Sequence, residues 1–80
     1  MANIRCKRND VYELVSENIK YYRKLRNMTQ AELADKTQYS HEFIRRIESP
    51  NSKKYFSIDT VSHIADALEV DIKVLFNQRN

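Results

Sequence analysis

The chain reads as an all-α domain, a compact bundle of five short helices. Three observations predict this. The 80 residues include no glycine and a single proline, so the hairpin turns and bulges of a β-sandwich or barrel lack the residue they lean on. Apolar residues recur at spacings of three and four, the period of a helix with one buried face. Asp10, Thr29, Ser40 and Ser57 each stand just ahead of such a stretch, where a side-chain oxygen can cap free backbone N–H groups. Hydrophobic residues make up 41% of the sequence, enough for one small core. The expected organisation is a basic tail over residues 1–9 and one domain over residues 10–80.

The elements follow in order. The first nine residues show no apolar period. Asp10 then serves as an N-cap, with Glu13 three residues later in capping-box spacing. Val11, Leu14, Val15, Ile19, Tyr22 and Leu25 fall on one helical stripe. Asn27 suits the end of that helix, because asparagine tolerates left-handed backbone. Thr29 caps the second helix, with Glu32 completing a second capping box and Ala31, Leu33 and Ala34 on the inner face. Thr37 to Ser40 form a tight connection. Ser40 caps the third helix, whose apolar positions are Phe43, Ile44 and Ile47. Pro50 lacks an N–H and biases Ser49 away from helical angles, so the helix breaks there. Ser57 caps the fourth helix, with Ile58, Val61, Ile64, Ala65 and Leu68 inward. Val70-Asp71 leads into a short last helix that turns Ile72, Leu75 and Phe76 inward.

Composition removes several functions. No glycine-rich phosphate loop exists, which excludes P-loop and dinucleotide-binding readings. The longest apolar run is Val74-Leu75-Phe76, too short for a transmembrane helix or a signal peptide. The single cysteine, Cys6, forms no internal disulfide, and the expected location is the cytoplasm. His63 has no second His or Cys at ligand spacing, so no metal is expected. No Ser-His-Asp set or paired carboxylates stand out, so neither an enzyme nor a cofactor is expected. The formal net charge is +3. The basic excess lies in the first third of the chain and the last third is acidic, an asymmetry that points towards a nucleic-acid partner.

The informative stretch runs from Thr29 to Glu48. Two short helices joined by a tight turn need a small residue where they cross, and Ala34 fills that role. Ile44 and Ile47 face back from the third helix. Its other face then projects His41, Glu42, Arg45 and Arg46, all able to hydrogen-bond base edges or phosphates. Lys53 and Lys54, directly after this helix, offer a phosphate-binding loop.

These residues resemble the helix-turn-helix family of the lambda Cro and phage repressor proteins, also called the xenobiotic-response-element type. The likeness runs from about Val15 to Phe76. It rests on Ile19 and Arg23, on Met28-Thr29-Gln30, on Ala31-Glu32-Leu33-Ala34, and on Ser40, Ile44, Ile47 and Glu48. Ser57 to Phe76 match the family's last two helices. The resemblance implies a lambda-repressor-like DNA-binding domain with base contacts from His41, Glu42, Arg45 and Arg46. It implies backbone contacts from Thr29, Gln30 and Ser40, and the position and charge of Lys53 and Lys54 add their own. It also implies a structural ion pair, Arg23 with Glu48, tying helix one to the end of the recognition helix. Three departures stand out: Gln38 where relatives often carry glycine, Pro50 in a loop about two residues longer than usual, and Val74 where relatives are polar.

The expected function is therefore a sequence-specific regulator on double-stranded DNA, a repressor acting as a homodimer on a partly palindromic operator. A protein-interaction module of antitoxin type is the alternative on the same fold, and Arg45 and Arg46 speak against it. No membrane partner and no small-molecule ligand are expected. Val74 beside Ile72, Leu75 and Phe76 gives more apolar positions than one inward face uses. That places the dimer interface at Val70, Ile72, Val74 and Phe76.

Overall fold

The computed structural model describes residues 8–49 and 55–79. Four α-helices run in chain order: α1 (Arg8–Leu25), α2 (Gln30–Thr37), α3 (His41–Glu48) and α4 (Ile58–Leu68). A 3-10 turn over Ile72–Phe76 takes the place of the expected fifth helix. No strand occurs among the described residues.

The caps that start α2, α3 and α4 act as their sequences dictate. Thr29 and Glu32 form both arms of a capping box: the Thr29 N–H donates to Glu32 Oε1 at 2.8 Å and the Glu32 N–H to Thr29 Oγ1 at 3.0 Å. Ser40 Oγ accepts from the Phe43 N–H and Ser57 Oγ from the Thr60 N–H. Each such cap contributes about 1 kcal/mol. α1 differs. It begins before Asp10, which therefore lies within the first turn and not at the cap; neither Pro nor Gly stands at Arg8 or Asn9 to stop the helix there.

The helix ends are unusual in a chain without glycine. Asn27, Gln38 and Glu69 all adopt left-handed backbone, with φ of 56°, 67° and 61°. After α1 the Asn27 N–H reaches Lys24 O and the Met28 N–H reaches Arg23 O, the paired bonds of a Schellman cap. After α4 the Glu69 N–H reaches Asp66 O and the Val70 N–H reaches Ala65 O in the same pattern. Arg26, the residue directly after α1, adds a brace: its Nε donates to Leu68 O and its Nη2 to Glu69 O, both at 2.9 Å. A guanidinium there satisfies terminal carbonyls and suits the negative end of the helix dipole. Glu69 brings the wrong charge to that end and a Cβ to a position that glycine occupies without strain. Glu69→Gly should therefore raise stability by about 1 kcal/mol, seen as a rise in Tm of about 4–8 °C for a domain this size. An unchanged or lower Tm in thermal denaturation would count against a strained cap.

The core is built from Val15 and Ile19 of α1, Leu33 and Ala34 of α2, Ile44 and Ile47 of α3, Val61, Ile64, Ala65 and Leu68 of α4, and Leu75. Three expected inward positions are exposed. Leu25 is 61% exposed and Ile58 is 65% exposed. Each is the terminal residue of its helix, where the helix outruns the elements packed against it. Ala31 is likewise exposed. In the 3-10 turn only Leu75 is fully buried; Ile72, Val74 and Phe76 are half-buried against the core. The tighter turn eclipses residues three apart, so one inward face cannot take all of them.

Polar residues complete the inner face of α1. Ser16, Asn18 and Arg23 are buried. Ser16 Oγ donates to Ile47 O at the end of α3. Asn18 Nδ2 donates to Leu75 O and Asn77 O, both at 2.8 Å. Asn18 Oδ1 accepts from Arg79 Nε at 2.6 Å, and the Arg79 guanidinium stands 4.0 Å above the Tyr21 ring. The stretch after the 3-10 turn is thus bound to α1 through the Asn18 amide and the Arg79–Tyr21 contact.

Candidate nucleic-acid interface

α3 is split into two faces by its own sequence. Ile44, Ile47 and Glu48 are buried, Phe43 is half-buried, and His41, Glu42, Arg45 and Arg46 are exposed. At 100° per residue the four exposed side chains span an arc of about 140°. The opposite face is fixed to the rest of the fold. Phe43 packs on Tyr39 with ring centroids 4.9 Å apart, and Tyr39 lies against His63 of α4 at 5.9 Å.

The end of α3 is held at Glu48. Arg23 makes a two-pronged ion pair with it, Nε to Oε2 at 2.7 Å and Nη2 to Oε1 at 2.9 Å. The side chains are 8% and 2% exposed. Arg23 Nη1 donates to Met28 O at 2.6 Å, and Gln30 Nε2 donates to Glu48 Oε1 at 3.0 Å. One carboxylate therefore joins α1, the start of α2 and the end of α3. A buried charge of this kind is tolerated because planar guanidinium and carboxylate match and their remaining sites are filled.

Thr29, Gln30 and His41 meet along an open groove that Lys24 also lines. Thr29 Oγ1 and Ser40 Oγ each use an acceptor lone pair on a helix cap. A hydroxyl keeps its O–H to donate outward while it accepts, so both remain able to bond a phosphate oxygen. Lys24 was not among the sequence candidates. Its position in the last turn of α1, five residues before the Thr29 cap, is the signal that identifies it. Lys53 and Lys54 lie outside the described residues. Among the described residues, the His41 and Arg46 side chains have no hydrogen-bond or ion-pair partner, while Arg45 Nη2 donates to Glu42 Oε1 at 3.1 Å.

The expected dimer residues Val70, Ile72, Val74 and Phe76 are half-buried. Phe76 borders an apolar groove of about 270 Å³ that Val11, Tyr12, Phe56 and Ile58 also line. Tyr12 makes edge-on contacts with Tyr55 and Phe56 at 5.3 and 5.0 Å. The more exposed apolar side chains on this side of the molecule are thus Tyr55 and Ile58. No group of three or more potential metal ligands occurs among the described residues. No helix among them is long and apolar enough to cross a membrane.

A helix-turn-helix family profile matches residues 19–75. The chain is similar to SinR, described as the master regulator for biofilm formation and solved in complex with DNA. The identity is 27% over 79% of this chain and 98% of that one, with a TM-score of 0.71. It is also similar to the restriction-modification controller protein C.Esp1396I, with 35% identity over 82% of this chain and 83% of that one and a TM-score of 0.73. A hypothetical transcription factor, NHTF from Neisseria, shares the fold with a TM-score of 0.77 at 17% identity, over 96% of this chain and 86% of that one. No curated protein matches the sequence at a significant level.

Proposed function

Because the chain belongs to the Cro/C1-type helix-turn-helix family, we propose that it is a sequence-specific transcriptional regulator that binds double-stranded DNA with α3 in the major groove. The carrying observation is the exposed arc of His41, Glu42, Arg45 and Arg46 on a helix whose other face is locked by Glu48 and the core. A rigid helix with outward polar groups meets base edges without first having to be ordered. Arg46 reads guanine, and His41 a base near the start of the helix. Thr29, Gln30, Ser40 and Lys24 hold the phosphates beside it, joined by Lys53 and Lys54. No catalytic step, cofactor or small-molecule ligand enters this reading, and the protein acts in the cytoplasm.

Two copies acting together place two recognition helices about 34 Å apart, one turn of the duplex. The homodimer uses the side of the molecule that carries Val70, Ile72, Val74 and Phe76, extended across the neighbouring apolar groove to Tyr55 and Ile58. Occupation of an operator that overlaps a promoter then represses transcription.

Selection from random-sequence duplexes tests this function. An enriched inverted repeat supports it, and failure to enrich any sequence refutes it. On the recovered operator, Arg46→Ala should cost about 1–3 kcal/mol and relax preference at one position of each half-site. A uniform loss across single-base variants would make Arg46 a phosphate contact instead.

A further inference from the structure

The two cations at the C-terminal end of the exposed arc are not equivalent. Glu42 stands three residues before Arg45 and four before Arg46, and both spacings bring side chains together on a helix. The carboxylate takes Arg45, at 3.1 Å, and leaves the Arg46 guanidinium without a partner among the described residues. The Glu42 and Arg45 side chains are 73% and 58% exposed, so packing does not force this pairing. Glu42 lies in the first turn of α3, where a carboxylate suits the helix dipole, but it makes no reciprocal capping bond. The reciprocal capping bond needs Glu at the third helical position, as Glu32 provides in α2. In α3 that position is Phe43, whose N–H bonds Ser40. An acidic group has thus been set on the face turned to a polyanion, with one of its two arginines engaged.

We propose that Glu42 and Arg45 act as one coupled reader that suppresses binding to wrong sequences; this rests on the DNA-binding function proposed above. On arbitrary DNA the carboxylate repels phosphate and keeps the Arg45 guanidinium from pairing with it. At the right site a cytosine amino group donates to Glu42, and a neighbouring guanine takes Arg45 through O6 and N7. An exposed ion pair is weak and opens readily, so these two base contacts suffice to separate it. Glu42 is then a specificity-determining residue that acts twice, once on its own base and once by releasing Arg45.

The test is a double-mutant cycle of Glu42→Gln and Arg45→Ala on two probes, a random-sequence duplex and the duplex that the wild type selects. Glu42→Gln should tighten binding to the random duplex by up to about fivefold at 0.1 M salt, the scale set by an exposed ion pair. It should steepen the salt dependence by up to about 0.9, the equivalent of one further phosphate contact. Most of both effects should vanish when Arg45 is already alanine. Binding to the selected duplex should not tighten. Selection repeated with Glu42→Gln should replace cytosine by adenine at one position of each half-site, because glutamine pairs with adenine N6 and N7. A thermal stability of Glu42→Gln lowered by no more than the loss of one first-turn charge and one surface ion pair shows that helix fraying is not the cause. Equal effects of Glu42→Gln in both backgrounds, or an unaltered selected sequence, overturn the coupled reader alone. A wild type that enriches no sequence overturns the DNA-binding function first and this proposal with it.

Discussion

Glu48→Ala should destabilise the domain by about 3–5 kcal/mol, the cost typical of removing one partner from a buried ion pair. The loss is large because the Arg23 guanidinium stays behind, 8% exposed and without its carboxylate, and Gln30 loses its acceptor as well. A small domain has about 5–15 kcal/mol of stability in all, so the variant approaches unfolding at moderate temperature. Operator binding would then fail for a reason unrelated to DNA contact, and binding must be compared under conditions where both proteins are folded. Urea denaturation of Arg23→Ala, Glu48→Ala and the double variant measures the coupling. A loss below about 1 kcal/mol, the scale of a surface pair, would show that the pair does not hold α1 to α3.

Asn18→Leu should cost about 2–4 kcal/mol, since buried carbonyls left without donors each lose on the order of 1–3 kcal/mol. The substitution keeps the branching at Cγ, removes the polarity and adds some volume at a fully buried site. It leaves Leu75 O and Asn77 O without the Asn18 amide and frees Arg79 from its acceptor. The effect should be local as well as global. Hydrogen exchange should quicken in the 3-10 turn and the residues after it by more than the fall that the global loss brings to α2 and α3. Stability within about 0.5 kcal/mol of wild type, a change typical of surface substitutions, together with unaltered exchange would remove the clamp from this account.

The helix starts were legible because capping is local: Thr29, Ser40 and Ser57 need only the next few residues to do their work. The exposed arc of α3 was legible for a related reason. Once Ile44 and Ile47 define the inward side, helical geometry alone decides where His41, Glu42, Arg45 and Arg46 point. The Arg23–Glu48 contact came from family resemblance, and no local rule would have paired residues 25 apart. What escaped was the polar part of the core. Ser16 and Asn18 lie one helical spacing from Val15, Ile19 and Tyr22, yet a pattern that counts only apolar residues passes over them. Their partners are backbone carbonyls at Ile47, Leu75 and Asn77, which carry no sequence signature. Leu25 and Ile58 erred in the opposite direction, because periodicity locates a face but not where its neighbours stop. Arg26 and Lys24 carry no motif of their own; their roles come from the end of α4 and the start of α2 beside them.

The left-handed residues Asn27, Gln38 and Glu69 also bear on the chain when it is not folded. Glycine samples more backbone conformations than any other residue, and a chain that contains none has a narrower unfolded ensemble. Less disorder is therefore surrendered on folding, which offsets part of the local strain at these three positions. A glycine placed at any of them relaxes the native backbone and widens the denatured population at the same time. The conformations this protein gives up were restricted before it began to fold, and that restriction contributes to its stability without a single contact.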